Sequence, residues 1–398
     1  MLQKIFLIIC SSYCMMAYGL QPEGQMELAS AKKQIVEHNC TNIHPEIVAL
    51  PRDPGRLLEV GGNEIIFEEG RMGFDNRILQ PVNAYKIMSN PERLQTQTQW
   101  RRISLLPDGR ICEVAEPQGG VITNEHANAL WLGMPGEELR RLPDFLGLGH
   151  DSPLLFMASG EPSKIILGRK TKESKERISL VNLDTQHEDE ILFEGLYYTG
   201  CDMFNPQYGI FMYPDGKRLG GGIGFQYDIF LKRKTGGEQV IPFGTGGELP
   251  PYGLSVGKDY VVFWHWQNAN FIMLDLKTWP VTVKYRFSLW RLRTMEDRPR
   301  RLVSGCQIGE NAFAFLESSG TLLIVQESAR QIDVSRYELE TKEKANLDPY
   351  QAGEIGVSLE KRKLYVKFGS LYNIPLDLLL IKDGGKKDAS PNPAPPDK

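Results

Sequence analysis

The sequence predicts an all-β fold, a single β-propeller of seven blades with six as the alternative, and three observations predict it. A strand-turn-strand unit recurs about every fifty residues, helical pattern is scarce, and continuous apolar strands are followed by alternating ones. The units begin near Glu64 (EIIFEE), Ile103 (ISLLPDGRICEV), Pro153 (PLLFMAS), Gly209 (GIFMYPDGKRL), Tyr260 (YVVFWHWQNANFIML), Ala312 (AFAFLESSGTLLIV) and Lys363 (KLYVKFGSLYNIPL). Their spacings are 39, 50, 56, 51, 52 and 51 residues, and the regularity of the second half sets the count at seven.

The turns carry the appropriate residues. Pro107-Asp108-Gly109 and Pro214-Asp215-Gly216 place Pro where φ near −65° is wanted and Gly where φ turns positive. Glu317-Ser318-Ser319-Gly320 and Gln267-Asn268-Ala269-Asn270 join apolar runs in the same way. More polar strands at 177–181, 227–232, 281–287 and 332–337 fit sheets whose inner strands are sandwiched between neighbours and whose outer edge meets water. In the last unit Leu364, Val366 and Phe368 face one way and Lys363, Tyr365 and Lys367 the other, the period of a strand.

Ahead of the repeats, residues 25–38 are the best helical candidate. Residues 46–50 (EIVAL) suit a strand that pairs with the last unit and closes the ring, removing both sheet edges. Residues 384–398, rich in Gly, Lys, Asp and Pro, read as a disordered tail, so the expected propeller spans 51–383 after an extension over 20–50.

The chain opens with Lys4, an apolar run from Ile5 to Cys10, and a small-x-small site at Ala17-Tyr18-Gly19. This is the pattern of a signal peptide over 1–19, so the mature chain is expected to be secreted or periplasmic, without a membrane span. Without Lys4 the balance is 45 basic against 50 acidic residues, which gives no reason to expect nucleic acid. The one basic cluster, Arg291, Arg293, Arg298, Arg300 and Arg301, is broken by Glu296, Asp297 and Pro299 and reads as a solvated loop. Beyond the leader, Cys40, Cys112, Cys201 and Cys306 are expected to be at least partly disulfide-bonded in an oxidising compartment, with three pairings open.

The element Phe211-Met212-Tyr213-Pro214-Asp215-Gly216-Lys217-Arg218-Leu219 resembles the strand-PDGK-strand element of TolB-type and other WD40-like propellers, and Leu105 to Arg110 is a poorer second copy. The Trp-Asp pair of true WD40 repeats is absent and Gly-His occurs once, at Gly149-His150; the Asp box of sialidases is absent as well. The resemblance implies the propeller fold and no particular activity.

Local motifs for chemistry fail their context tests. Gly253-Leu254-Ser255-Val256-Gly257 has the spacing of a nucleophile elbow, but a strand follows where a helix is needed, so a blade-to-blade loop is the better reading. Gly220-Gly221-Gly222-Ile223-Gly224 also lacks the following helix of a phosphate cradle and reads as a turn or bulge. His38, Cys40, His44 and Glu46 are ligand-capable residues on a loop that does not enforce convergence, so no metal or cofactor is expected. Asn39-Cys40-Thr41 is a glycosylation sequon that has meaning only in a eukaryotic host. His187-Glu188-Asp189-Glu190 reads as a solvated turn. Trp264, His265 and Trp266 are the ligand-binding candidates: the two indoles share one face of a strand, suited to stacking on a sugar or peptide, and His265 points the other way. Filling the gap between blades is the competing role for the same rings. A binding or scaffold module with a protein or glycan partner is therefore expected ahead of a hydrolase or lyase at the funnel.

Overall fold

The computed structural model describes residues 33–50, 55–61, 64–68, 70–74, 78–80, 101–115, 129–142, 155–171, 175–196, 203–219, 224–247, 250–265, 270–288, 302–339 and 353–381. The leader, most of the helical candidate, Cys201, Trp266, the basic cluster at 291–301 and the tail at 384–398 lie outside them. The unit Ile35–Lys398 carries the fold.

That unit is a ring of seven small antiparallel sheets, a seven-bladed β-propeller. The innermost strands of blades one to seven are Leu57–Gly61, Arg101–Leu105, Leu155–Ala158, Met203–Asn205, Tyr252–Val256, Leu302–Gly309 and Glu354–Ser358. The outer strands of the first six are Ile78–Gln80, Arg140–Leu142, His187–Leu196, Glu238–Gly246, Thr282–Ser288 and Gln331–Leu339. Blade seven takes its outer strand, Glu46–Val48, from far upstream: Glu46 lies opposite Asn373, Ile47 opposite Tyr372 and Val48 opposite Leu371. Val48 also packs with Leu57, Ile65 and Phe67 of blade one, so a single short strand ties the last blade to the first.

The second strand of blade five, Tyr260–His265, shows why the middle strands read as unbroken apolar runs. All six of its residues are buried. Val262 and Trp264 pack with Phe313 and Phe315 of blade six, whereas Val261 and Phe263 pack with Met212 and Ile229 of blade four. Each such aromatic or aliphatic side chain removed from water contributes about 1.5–3 kcal/mol. In the outer strand Glu238–Gly246, Ile241 and Phe243 are buried while Glu238, Val240 and Pro242 are exposed, giving the alternation of a solvated edge.

Four local expectations change. The second strands begin at Glu64, Ile111, Lys164, Ile210, Tyr260, Ala312 and Lys363, spaced 47, 53, 46, 50, 52 and 51 residues apart. The interval of 39 arose because Ile103 lies in an innermost strand, one strand too early. Pro107-Asp108-Gly109 is a turn, with Gly109 at φ 84°, but Pro214-Asp215-Gly216 lies inside the strand Ile210–Arg218. Among the described residues the innermost strand Met203–Asn205 pairs with Ile210, Phe211 and Met212, and Pro214 lies opposite Ile229 on the other side. Gln34–Glu37 is a strand, as two adjacent β-branched residues favour, rather than the end of a helix. His187–Leu196 is a ten-residue strand, so His187-Glu188-Asp189-Glu190 is no turn.

Candidate functional site

Around the axis, the blades lock through aliphatic side chains set against glycines. Gly253 of blade five faces Met203 of blade four, leaving no room for a Cβ. A Cβ on Gly305 would stand 3.3 Å from Leu254 Cδ2, and one on Gly356 would stand 2.5 Å from Val60 Cγ2. The innermost strands of blades four and five, five and six, and seven and one are therefore locked together through Met203, Leu254 and Val60. Ser255 is exposed on the innermost strand Tyr252–Val256, not on a loop between blades, and Gly257 follows it in a turn at φ 63°. No helix follows, so the nucleophile-elbow geometry is absent.

Charge enters at the junction of blades seven and one. Arg56 Nε donates to Glu354 Oε1 at 2.8 Å, and Lys367 lies opposite Glu354 on the next strand. Burial pushes the Glu354 carboxyl above the usual range, and the Arg56 charge and hydrogen bond only partly offset it. Two further interblade links are polar ties between turns. Arg110 Nη2 donates to Asp108 Oδ2 at 2.7 Å within blade two and to Ser163 Oγ at 2.5 Å in blade three. Burial pushes Asp108 up, but the Arg110 hydrogen bonds and charge outweigh it and hold the carboxyl below its ordinary value. Tyr208 Oη donates to Asp259 Oδ1 at 2.7 Å, and this bond to a carboxylate raises the phenol to about 12.

The second feature is on the rim of blade six. Its sheet has six strands because Gln34–Glu37 and Thr41–Ile43 both lie along Gln331–Leu339, the latter in parallel with Thr41 opposite Tyr337 and Ile43 opposite Leu339. His38 N donates to Val334 O at 2.9 Å. Its Nε2 lies 2.7 Å from Asp333 Oδ1, which also accepts from Gln331 Nε2 at 2.8 Å. Asp333 is 4% exposed and lines a cavity of about 240 Å³ with His38, Asn39, Thr41, Gln331 and Tyr337.

The residues singled out from sequence scatter. Trp264 is 3% exposed and faces Phe271 at 6.3 Å, and His265 is 0% exposed beside Tyr227 at 5.9 Å. They point in opposite directions as the strand period requires, and each fills an interblade gap rather than presenting a ring to solvent. Cys40, Cys112 and Cys306 carry free thiols, far apart in the fold on the rim strap, in blade two and in blade six. The expected disulfides are thus not seen among the described residues. Burial raises the Cys306 thiol to about 12. Glu188 pairs with Arg169 at 2.6 Å, Asp189 with Lys164 at 3.3 Å and Glu190 with Lys234 at 2.7 Å, which accounts for the acidic run. No group of three or more His, Cys, Asp or Glu converges among the described residues. The rim strap and the Arg56–Glu354 pair were missed in the sequence, because their partners lie about 300 residues apart.

The fold and these sites define a seven-bladed β-propeller whose innermost strands lock side by side and whose sixth blade carries an added edge. No protein-family model matches the chain, and no curated protein matches it. The chain is similar in fold to YCF48 from Cyanidioschyzon merolae, with 9% identity over 84% of this chain and 100% of that one, at a TM-score of 0.47. It is also similar to the WD40 repeats of RRP9, with 8% identity over 84% and 99% of the two chains and a TM-score of 0.45. Virginiamycin B lyase from Staphylococcus aureus has 12% identity over 81% and 97%, with a TM-score of 0.42. These likenesses concern the propeller fold and carry nothing about activity.

Proposed function

We propose that the chain is an exported β-propeller that acts as a binding or scaffold module for a macromolecule or a cell-envelope component, engaging it on the rims. The observation that carries this reading is the rim of blade six, where Gln34–Glu37 and Thr41–Ile43 add to the outer edge Gln331–Leu339 beside a cavity of about 240 Å³ lined by His38, Asp333 and Tyr337. Export is supported by Lys4, the apolar run after it and the Ala17-Tyr18-Gly19 site. No helix among the described residues is long and apolar enough to cross a membrane.

The competing reading, a hydrolase or lyase acting on polysaccharide, lactone or phosphate ester, draws on one observation, the buried Glu354 carboxyl with its raised pKa. Turnover of chromogenic glycosides, lactones and phosphate monoesters by the wild type and Glu354→Gln tests the choice. A binding module gives no turnover above the blank with either chain. Turnover that Glu354→Gln removes would overturn the reading in favour of catalysis. Mass spectrometry of the chain from its host checks export, with a mature start near Leu20 as the expected result.

A further inference from the structure

We propose that the outer edge of Gln331–Leu339 is a strand-addition site for an extended segment of a partner protein, one that carries a Lys or Arg and, five residues on, an aliphatic side chain. The chain's own residues 35–43 occupy that edge as a displaceable strap. This rests on the binding-module reading and names its surface.

Four observations lead here. First, ring closure does not need the strap, because Glu46–Val48 alone supplies the outer strand of blade seven. Second, the strap is held mainly by main-chain pairing: Ile35 is exposed, and Ile43 is its one residue packed against the buried cluster of Leu339, Leu364 and Ile374. Third, the pairing is parallel and in register over Thr41–Ile43, so an incoming strand of the same direction finds every partner already in place. Fourth, the side-chain latch is undersized. His38 reaches Asp333 from the solvent side, with its own side chain 40% exposed, while the cavity of about 240 Å³ lies beside the carboxylate. A longer cation fits that space and meets a recessed, hydrogen-bonded carboxylate with a stronger, charge-assisted contact than His38 makes. The sequence offset between His38 and Ile43 then sets the partner's pattern.

The strap competes in cis, so the edge binds a peptide only in proportion to the time the strap is away. The test uses the full chain and two labelled peptides spanning residues 33–44 with Cys40→Ser, one otherwise native and one with His38→Arg, read by fluorescence anisotropy. The His38→Arg peptide is expected to bind on the order of tenfold more tightly than the native one. Both are expected to bind the strap-weakened chain His38→Ala/Ile43→Ala on the order of tenfold more tightly than the wild type. Asp333→Asn in that weakened chain should cancel the preference for arginine while leaving residual binding. No binding to the weakened chain, or equal affinity for the two peptides, would overturn the proposal. A wild-type dimer in size-exclusion chromatography that the weakened chain loses would replace the partner with a second copy and overturn it as well. Failure of the binding-module reading is distinguishable, since that shows as Glu354-dependent turnover with the peptide results unchanged.

Discussion

The ring of Tyr227 occupies the place where a side chain on Gly216 would begin: a Cβ there would stand 2.5 Å from Tyr227 Cε1. The two residues face each other across paired strands, and Tyr227 Oη donates to Gly247 O at 2.8 Å, which pins the ring. Gly216→Ala is therefore expected to destabilise by about 1–3 kcal/mol through overpacking. Urea unfolding of the variant measures this. A change under about 0.5 kcal/mol would show that the ring is free to move away.

Closure of the ring through Glu46–Val48 separates two parts of the N-terminal segment. Val48→Asp places a carboxylate at a 5% exposed position between blades seven and one, and is expected to cost at least about 3 kcal/mol. Ile35→Asp, on the strap, is expected to cost less than about 1 kcal/mol because its side chain is exposed. Hydrogen exchange should show amides within Leu371–Asn373 losing protection in the first variant only. Equal losses in both would mean that the strap shares in closing the ring.

The Arg56–Glu354 pair gives a pH dependence with a defined sign. Glu354 has a raised pKa in the folded chain, so the native state holds its proton more tightly than the unfolded state. This group therefore makes stability fall as pH rises through its folded pKa, and rise again on acidification. Arg56→Met removes the compensating charge and is expected to cost about 1–2 kcal/mol at pH 8, an estimate reduced for the partial exposure of Arg56. The deficit should shrink at pH 5, as measured by urea midpoints at both values. A deficit that grows on acidification would reverse the assignment.

Thiol footprinting distinguishes the cysteines. Cys40 is exposed, while Cys112 is buried and its thiol is pushed well above the ordinary range by burial and the nearby Glu113 charge. Brief N-ethylmaleimide treatment at pH 8 is expected to label Cys40 and to leave Cys112 unlabelled until urea is added. Recovery of Cys40 or Cys112 in a disulfide-linked peptide would contradict the free thiols of the structure.

The propeller was legible in the sequence because every blade needs middle strands apolar on both faces, and runs such as Tyr260–His265 and Ala312–Glu317 repeat at a near-constant interval. The PDG element that carried the family resemblance was misread: Gly216 is there to admit the Tyr227 ring, not to turn the chain. Spacing alone cannot distinguish a glycine needed for φ from one needed for space. Trp264 and His265 looked like a ligand site because aromatic rings serve interblade packing and recognition equally well, and only burial separates the two uses. The strap and the Glu354 pair were hidden for another reason. Each joins the start of the chain to its end, and no local pattern records a pairing across the closure of a ring.

Binding on the rims rather than in the throat is tested most directly by chemical cross-linking of the mature chain in its host compartment, comparing the wild type with Ser255→Trp. Ser255 is exposed on the innermost strand, so an indole there adds bulk on the axial side of the blade and leaves the outer edge of blade six unchanged. A rim-binding module gives the same cross-linked adduct from both chains in comparable yield. Loss of the adduct in Ser255→Trp, with the variant still folded by circular dichroism, would place the partner in the throat and contradict the proposed function.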